Sequence, residues 1–273
     1  MTINILDVPI STYNLKETSL LILKWVQQKK RKYVLTCTLN EIVANSKSKE
    51  LKESFLKADL VTADGMSIVW TIKILTAKKI ERVYGPDLMI AVCQLTEGKK
   101  ISHYFYGSTD LVLKRLIANL KKKFPKLKIS GFYSPPFREL NKSEEHKIFK
   151  EIKQRKPNII WVGLGGSKQA FWARKASEKL HPCIMIGVGA AFDFLSGNKK
   201  QAPLWMQNGG LEWLFRLIQE PKRLWKRYLL GIPVFAFLLF KAILKTPPRW
   251  VRSNRTLLGW WRKKRRLINK NDH

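Results

Sequence analysis

From Tyr13 to Val188, short continuous apolar runs alternate with stretches in which apolar residues recur every three or four positions. Leu15, Leu20, Leu23 and Val26 mark a helix over Tyr13–Gln28, and the basic stop Lys29 to Lys32 precedes a strand over Tyr33–Thr38. The same alternation predicts helices near Lys49–Leu56, Met66–Leu75, Pro86–Thr96, Leu111–Phe124, Ser143–Arg155 and Lys168–Lys179. It predicts strands at Leu60–Ala63, Ile101–Tyr106, Leu127–Phe132, Asn158–Val162 and Cys183–Val188. Short apolar strands interleaved with amphipathic helices imply an α/β class fold: a Rossmann-like, mainly parallel sheet with helices on both faces.

Past Pro203 the pattern changes. Tryptophans at 205, 213, 225, 250, 260 and 261 mingle with Lys and Arg, and acidic residues nearly vanish after Glu220. This divides the chain into a core over residues 1–200 and a basic, Trp-rich helical C-terminal appendage over 201–273. Within the appendage, Tyr228–Phe240 is thirteen residues without a charge. As a helix it reaches roughly 20 Å, short of the ~30 Å hydrocarbon core of a bilayer. Pro233 is expected to disturb a continuous helix, so the stretch reads as an interfacial or re-entrant element.

Charge narrows the partners. Fifty-two Lys and Arg against twenty Asp and Glu give +32, which calls for an anionic partner: nucleic acid, acidic lipid or a phosphorylated substrate. A basic nucleic-acid-binding α/β protein accounts for the charge but not for the uncharged Tyr228–Phe240 stretch, and no RNP or zinc-finger pattern is present. Basic residues flanking that stretch, with interleaved tryptophans, suit an anionic membrane surface. A non-catalytic membrane scaffold is the other alternative. Trp213, Leu217 and Leu224 are suited to cover the core or a second subunit, which leaves a homo-oligomer open. Three widely spaced cysteines, Cys37, Cys93 and Cys183, indicate neither disulfides nor zinc, and the N-terminus shows no secretory signal, so a cytoplasmic location is expected.

In parallel sheets ligands bind beyond the carboxyl ends of the strands, so four loops are candidates: T-L-N at Thr38–Asn40, A-D-G at Ala63–Gly65, G-L-G-G at Gly163–Gly166 and G-V-G at Gly187–Gly189. Glycine turns entering a helix cradle phosphates, though the same glycines serve any tight left-handed turn. Asp64 is placed to accept a proton from a substrate hydroxyl, and Asp-Gly is equally a common turn pair. Thr38 and Asn40 divide between substrate hydrogen bonding and local caps. His103, His146, His181 and His273 are isolated, and no nucleophile elbow occurs. The expected chemistry is therefore acid/base plus electrostatic, with no metal, no cofactor and no covalent intermediate.

Read together, these loops resemble the bacterial WecG/TagA/CpsF glycosyltransferases. The matching pieces are T-L-N, A-D-G-M (Ala63–Met66), E-R-V-Y-G-P-D-L (Glu81–Leu88), G-F-Y-S-P-P-F (Gly131–Phe137), W-V-G-L-G-G-S-K-Q (Trp161–Gln169), I-G-V-G-A-A-F-D-F-L-S-G (Ile186–Gly197) and R-L-x-x-E-P-x-R-L-W-x-R-Y (Arg216–Tyr228). The resemblance implies an inverting, metal-independent transfer of an N-acetylmannosamine-type sugar from a UDP-sugar donor to a polyprenyl-diphosphate-linked N-acetylglucosamine acceptor. The enzyme would sit peripherally on the inner face of the cell membrane. On this chain it implies Asp64 as base, Thr38 and Asn40 placing substrates, and Gln169 with the Gly163, Gly165, Gly187 and Gly189 loops holding the nucleotide-sugar. Arg82 and Asp87 match a motif implied to bind substrate. With no metal, Arg216, Arg223 and Arg227 are the candidates to meet the diphosphate leaving group, or alternatively lipid headgroups. Two departures bear on the donor sugar. Ser167 and Ala170 stand where the family commonly has Pro and Glu, and Tyr84 and Pro86 occupy positions that are often small or hydroxylated.

Overall fold

The computed structural model describes residues 2–245 and Trp261; the basic cluster expected beyond residue 245 lies outside them. The chain opens with a hairpin, β1 (Thr2–Ile5) and β2 (Val8–Ser11), that the apolar pattern did not reveal because Thr2, Asn4, Pro9 and Ser11 break its apolar residues into single positions. The alternation then runs α1 (Leu15–Gln27), β3 (Lys32–Cys37), α2 (Leu39–Asn45), α3 (Lys49–Leu56), β4 (Leu60–Ala63), α4 (Met66–Thr76) and α5 (Gly85–Thr96). It continues with β5 (Ser102–Gly107), α6 (Asp110–Lys123), β6 (Lys128–Tyr133), α7 (Lys142–Arg155), β7 (Ile159–Gly163), α8 (Gly166–Lys179) and β8 (Ile184–Gly187). Five further helices follow: α9 (Ala191–Leu195), α10 (Leu204–Asn208), α11 (Glu212–Gln219), α12 (Pro221–Trp225) and, after a π-helical turn at Lys226–Leu230, α13 (Gly231–Lys245).

Six strands form one parallel sheet in the order β4-β3-β8-β7-β5-β6. Side chains alternate across it as strand geometry requires. Tyr33, Leu35, Cys37, Tyr104, Tyr106, Ile160 and Val162 face one apolar cluster, shared with α2, α3, α7 and α8. Val34, Phe105, Ile159, Trp161, Ile184 and Ile186 face the other, shared with α1, α5 and α6. The expected α/β architecture is thus observed. His103 is part of this core: Trp161 Nε1 donates to its Nδ1 at 3.0 Å, its Nε2 lies 2.9 Å from Thr96 Oγ1, and burial depresses its pKa to about 3. It is a neutral structural group.

T-L-N is not an open loop. Thr38 caps α2, accepting from Asn40 N at 3.2 Å, while Glu41 returns the bond to Thr38 N at 2.9 Å. The capping-box spacing Thr-x-x-Glu, present at Thr38–Glu41, is the signal that would have found this short helix.

The appendage also departs from expectation. Pro233 does not interrupt it: Pro221–Leu244 is a continuous 24-residue helical run. Pro233 falls just after the π-helical turn, where the hydrogen-bond ladder is already shifted, so the absent proline N–H is accommodated. At about 36 Å the run is long and apolar enough to cross a bilayer by length and composition. One of its faces is nonetheless spent on the protein. Leu224, Tyr228 and Phe235 are buried and α13 packs along α2, while Leu229, Leu230, Phe237 and Phe240 are exposed.

Candidate functional site

The loops leaving the carboxyl ends of all six sheet strands border one cleft of about 1540 Å³. Thr38 follows β3, Asp64 follows β4, Ser108 and Thr109 follow β5, Pro135 to Phe137 follow β6, Gly163 to Gly166 end β7, and Gly189 and Ala190 follow β8. The appendage closes the remaining side with Arg216, Arg223 and Arg227. A parallel sheet aligns its strands so that these ends meet, and that alignment gathers residues about 150 positions apart in sequence.

Asp64 is half-buried at the cleft wall. Its Oδ1 accepts from Gly85 N at 2.9 Å at the start of α5, and its backbone N–H donates to Cys37 O at 2.9 Å. Burial pushes its pKa up to about 7. The Arg82 guanidinium opposes that rise, the Glu212 carboxylate reinforces it, the Gly85 N–H opposes it and Glu41 adds a smaller push upward. A carboxylate balanced near neutrality is suited to take a proton and return it to water.

Arg82 and Asp87 lie outside the cleft lining. Arg82 donates from Nε to the backbone carbonyl of Asp64 and from Nη2 to Glu212 Oε2 at 2.5 Å, with its guanidinium 3.9 Å from the Tyr84 ring centre. Tyr84 donates to the other Glu212 oxygen at 3.1 Å. Arg82 therefore ties the Asp64 turn to α11. Asp87 is exposed in the first turn of α5, where a carboxylate complements the helix dipole. Glu212 was missed by sequence reading because its partners are about 130 residues away. Glu212→Gln keeps an acceptor for Arg82 but removes a charge that raises the Asp64 pKa. The acid limb of the pH–rate profile is therefore expected to move to lower pH, read from kcat/KM between pH 5 and 9.

The glycine loops divide by role. Gly163 has no room for a side chain: a Cβ there would meet the Phe192 ring at 2.4 Å. Gly165 and Gly166 adopt φ of 72° and 51° at the start of α8, whose N-terminus carries no side-chain cap and opens on the cleft. Gln169 is buried and accepts from Gly189 N at 2.9 Å, and its side chain fills the space beside Gly187. Gly187 therefore lies behind Gln169 and Gly189 in front. Ala170 is fully buried among core residues and does not line the cleft.

The three appendage arginines are held differently. Arg216 sits 5.7 Å from the Phe194 ring centre, Arg223 pairs with Glu220, and Arg227 reaches Glu41 Oε1 at 3.4 Å. Asn40 does not border the main cleft. Its amide, oriented by its partners, donates to the Arg227 carbonyl at 3.3 Å and accepts from Arg227 Nε at 3.2 Å. Lys168 and Lys199 add positive charge to the lining, Lys199 being shared between Asp193 at 3.3 Å and Glu220 at 2.9 Å. Among the described residues no three His, Cys, Asp or Glu side chains cluster as metal ligands do.

Comparison with known proteins agrees with the geometry. The chain is similar to the N-acetylglucosaminyldiphosphoundecaprenol N-acetyl-beta-D-mannosaminyltransferase of Bacillus spizizenii strain W23, with 30% identity over 184 residues, 67% of this chain and 69% of the relative. The protein of the same name in Bacillus subtilis strain 168 is 27% identical over 217 residues, 80% and 82% of the two chains. That of Staphylococcus aureus strain MW2 is 26% identical over 186 residues, 68% and 70%. A model of the glycosyl transferase WecG/TagA/CpsF family matches residues 3–249. With nearly the whole described chain matched, and a phosphate-suited cleft built from its loops, the chain belongs to the glycosyl transferase WecG/TagA/CpsF family.

Proposed function

We propose that this glycosyltransferase moves N-acetylmannosamine, or a closely related sugar, from a UDP-sugar to polyprenyl-diphosphate-linked N-acetylglucosamine, with inversion and without a metal. The observation that carries the proposal is the meeting of Asp64 with glycine turns and three arginines in one cleft. Asp64 takes the proton of the acceptor hydroxyl. The hydroxyl oxygen forms its bond to the anomeric carbon from the side opposite the donor phosphate, the carbon–oxygen bond to that phosphate breaks, and UDP departs with the electron pair. Arg216, Arg223 and Arg227, with the uncapped start of α8, meet the charge that grows on the departing diphosphate.

The relatives' names supply the acceptor, N-acetylglucosaminyldiphosphoundecaprenol, whose lipid tail requires a membrane or micelle. The exposed apolar face of α12 to α13 (Trp225, Leu229, Leu230, Phe237, Phe240), flanked by Lys222, Arg223 and Lys226, supports docking in the plane of an anionic leaflet on the cytoplasmic side. Such a reaction serves cell-surface polymer assembly, of the teichoic-acid linkage-unit kind. The test is purified full-length protein offered a panel of UDP-sugars and a short polyprenyl-diphosphate N-acetylglucosamine acceptor, with and without chelator. Transfer from UDP-N-acetylmannosamine that survives chelation is expected; loss of activity on chelation, restored by a divalent ion, overturns the metal-free mechanism.

A further inference from the structure

A second groove, of about 410 Å³, lies beside the cleft between α2, the start of α8 and the π-helical turn of the appendage. It shares Glu41, Gly166 and Arg227 with the cleft, so the two cavities adjoin at these residues. Its lining combines two kinds of chemistry. Lys47, Lys226 and Arg227 supply three cations against the single carboxylate Glu41, which is already engaged by Thr38 and Arg227. Val43, Ala44 and Leu230 supply an apolar side that runs onto the exposed Leu229 and Leu230 of the membrane-facing helix. Among the described residues, neither Lys47 nor Lys226 has an acidic partner within 4.0 Å; Lys226 lies 5.5 Å from the Trp225 ring centre.

Resting on the reading given above, we propose that this groove binds the diphosphate of the lipid-linked acceptor and guides its first isoprenoid units toward the appendage. The acceptor must present a sugar hydroxyl to the cleft, a diphosphate one sugar ring away and a hydrocarbon chain beyond that. A cationic groove opening from the catalytic cleft at one end and meeting an apolar helix face at the other matches that order of parts. Arg227 stands where the two diphosphates of the reaction come nearest, held in place by Asn40 and Glu41. The dedicated acceptor contacts are then Lys47 and Lys226. A phospholipid headgroup offers the same phosphate chemistry, and the test separates the two.

The full-length Lys47→Gln/Lys226→Gln variant is assayed in neutral detergent, free of phospholipid, with a short polyprenyl-diphosphate N-acetylglucosamine acceptor. Acceptor KM is expected to rise about tenfold or more, as loss of two phosphate contacts implies, with donor KM within twofold of wild type. Lys16→Gln, which removes an exposed charge of α1 outside the groove and the cleft, is expected to leave both unchanged. An unchanged acceptor KM in the double variant overturns the proposal. So does a double variant whose only defect, relative to wild type and Lys16→Gln, is weaker binding to phosphatidylglycerol vesicles, which would assign the groove to headgroups. If wild type transfers sugar to no lipid diphosphate, the parent reading fails separately. The groove is then judged by direct binding of a short polyprenyl diphosphate in detergent, where equal affinity of wild type and double variant overturns it.

Discussion

Asp64→Asn is expected to lower kcat by on the order of 10² to 10⁴-fold while leaving UDP affinity close to wild type. Asparagine retains an oxygen to accept from Gly85 N–H and fits the same space, so the turn and the tie from Arg82 to the Asp64 backbone survive. What is lost is the proton acceptor. A variant with wild-type turnover would remove Asp64 from the chemistry. In wild type the rate should rise with pH through about 7 with unit slope, because the base works only when ionised.

The same substitution makes an opposite prediction for stability. The folded pKa of Asp64, about 7, lies above its ordinary value of 3.8, so the folded protein binds this proton more tightly than the unfolded chain does. Below about pH 4 both states carry the proton and nothing is lost. As pH climbs from 4 to 7 the unfolded chain ionises first, and stability falls, with the full cost present above 7. Asp64→Asn removes that cost. It should be more stable than wild type by about 1–3 kcal/mol at pH 8 and show no such advantage at pH 4, measured by thermal or denaturant unfolding at both values. A gain in stability coupled to a loss of rate is the signature of a group held in place for chemistry rather than for folding.

The second large effect is expected from the appendage. Arg216→Ala combined with Arg223→Ala should reduce kcat by about 10²-fold or more, because in the proposed mechanism each removes a donor from charge that develops only as UDP departs. Neither side chain supports the core: α11 contributes no buried residue, and Arg223 is mostly exposed beside Glu220. Folding should therefore be unaffected, and steady-state kinetics with a detergent-solubilised acceptor isolate the effect from membrane binding. Lysine at both positions should recover part of the rate, as a point charge without the guanidinium fork. Arg227 is a poorer subject for this test. Its removal leaves the buried Glu41 carboxylate without a cation, so activity and stability would fall together.

Glu212 gives the appendage a second connection to the chemistry. It grips Arg82 and Tyr84, and Arg82 in turn grips the backbone carbonyl of Asp64, the proposed base. Docking of α11 thus fixes the Asp64 turn and sets part of the electrostatic field there. Tyr84 is fixed by the same contact. Its hydroxyl reaches Glu212 and its ring carries the Arg82 guanidinium.

The apolar periodicity was enough to determine the parallel sheet, its helices and the set of loops at its carboxyl edge. Strand burial and helix amphipathicity are written locally, within windows of five to fifteen residues. The same local character explains Gly163, Gly165 and Gly189, whose backbone demands show as glycine in the sequence. Elements carried by a few residues, such as the β1–β2 hairpin and α2, fell below that resolution. The continuity of helix through Pro233 depended on a π-helical turn that no residue type announces. Only tertiary structure decided that Gln169 braces a glycine loop, that Asn40 holds Arg227 and that Arg82 bonds Glu212. Each of those roles pairs residues 20 to more than 180 positions apart, and such pairings follow from how the sheet and appendage pack rather than from any local pattern. The ionisation of Asp64 was decided the same way, because a pKa is set by burial and by charges that folding brings near.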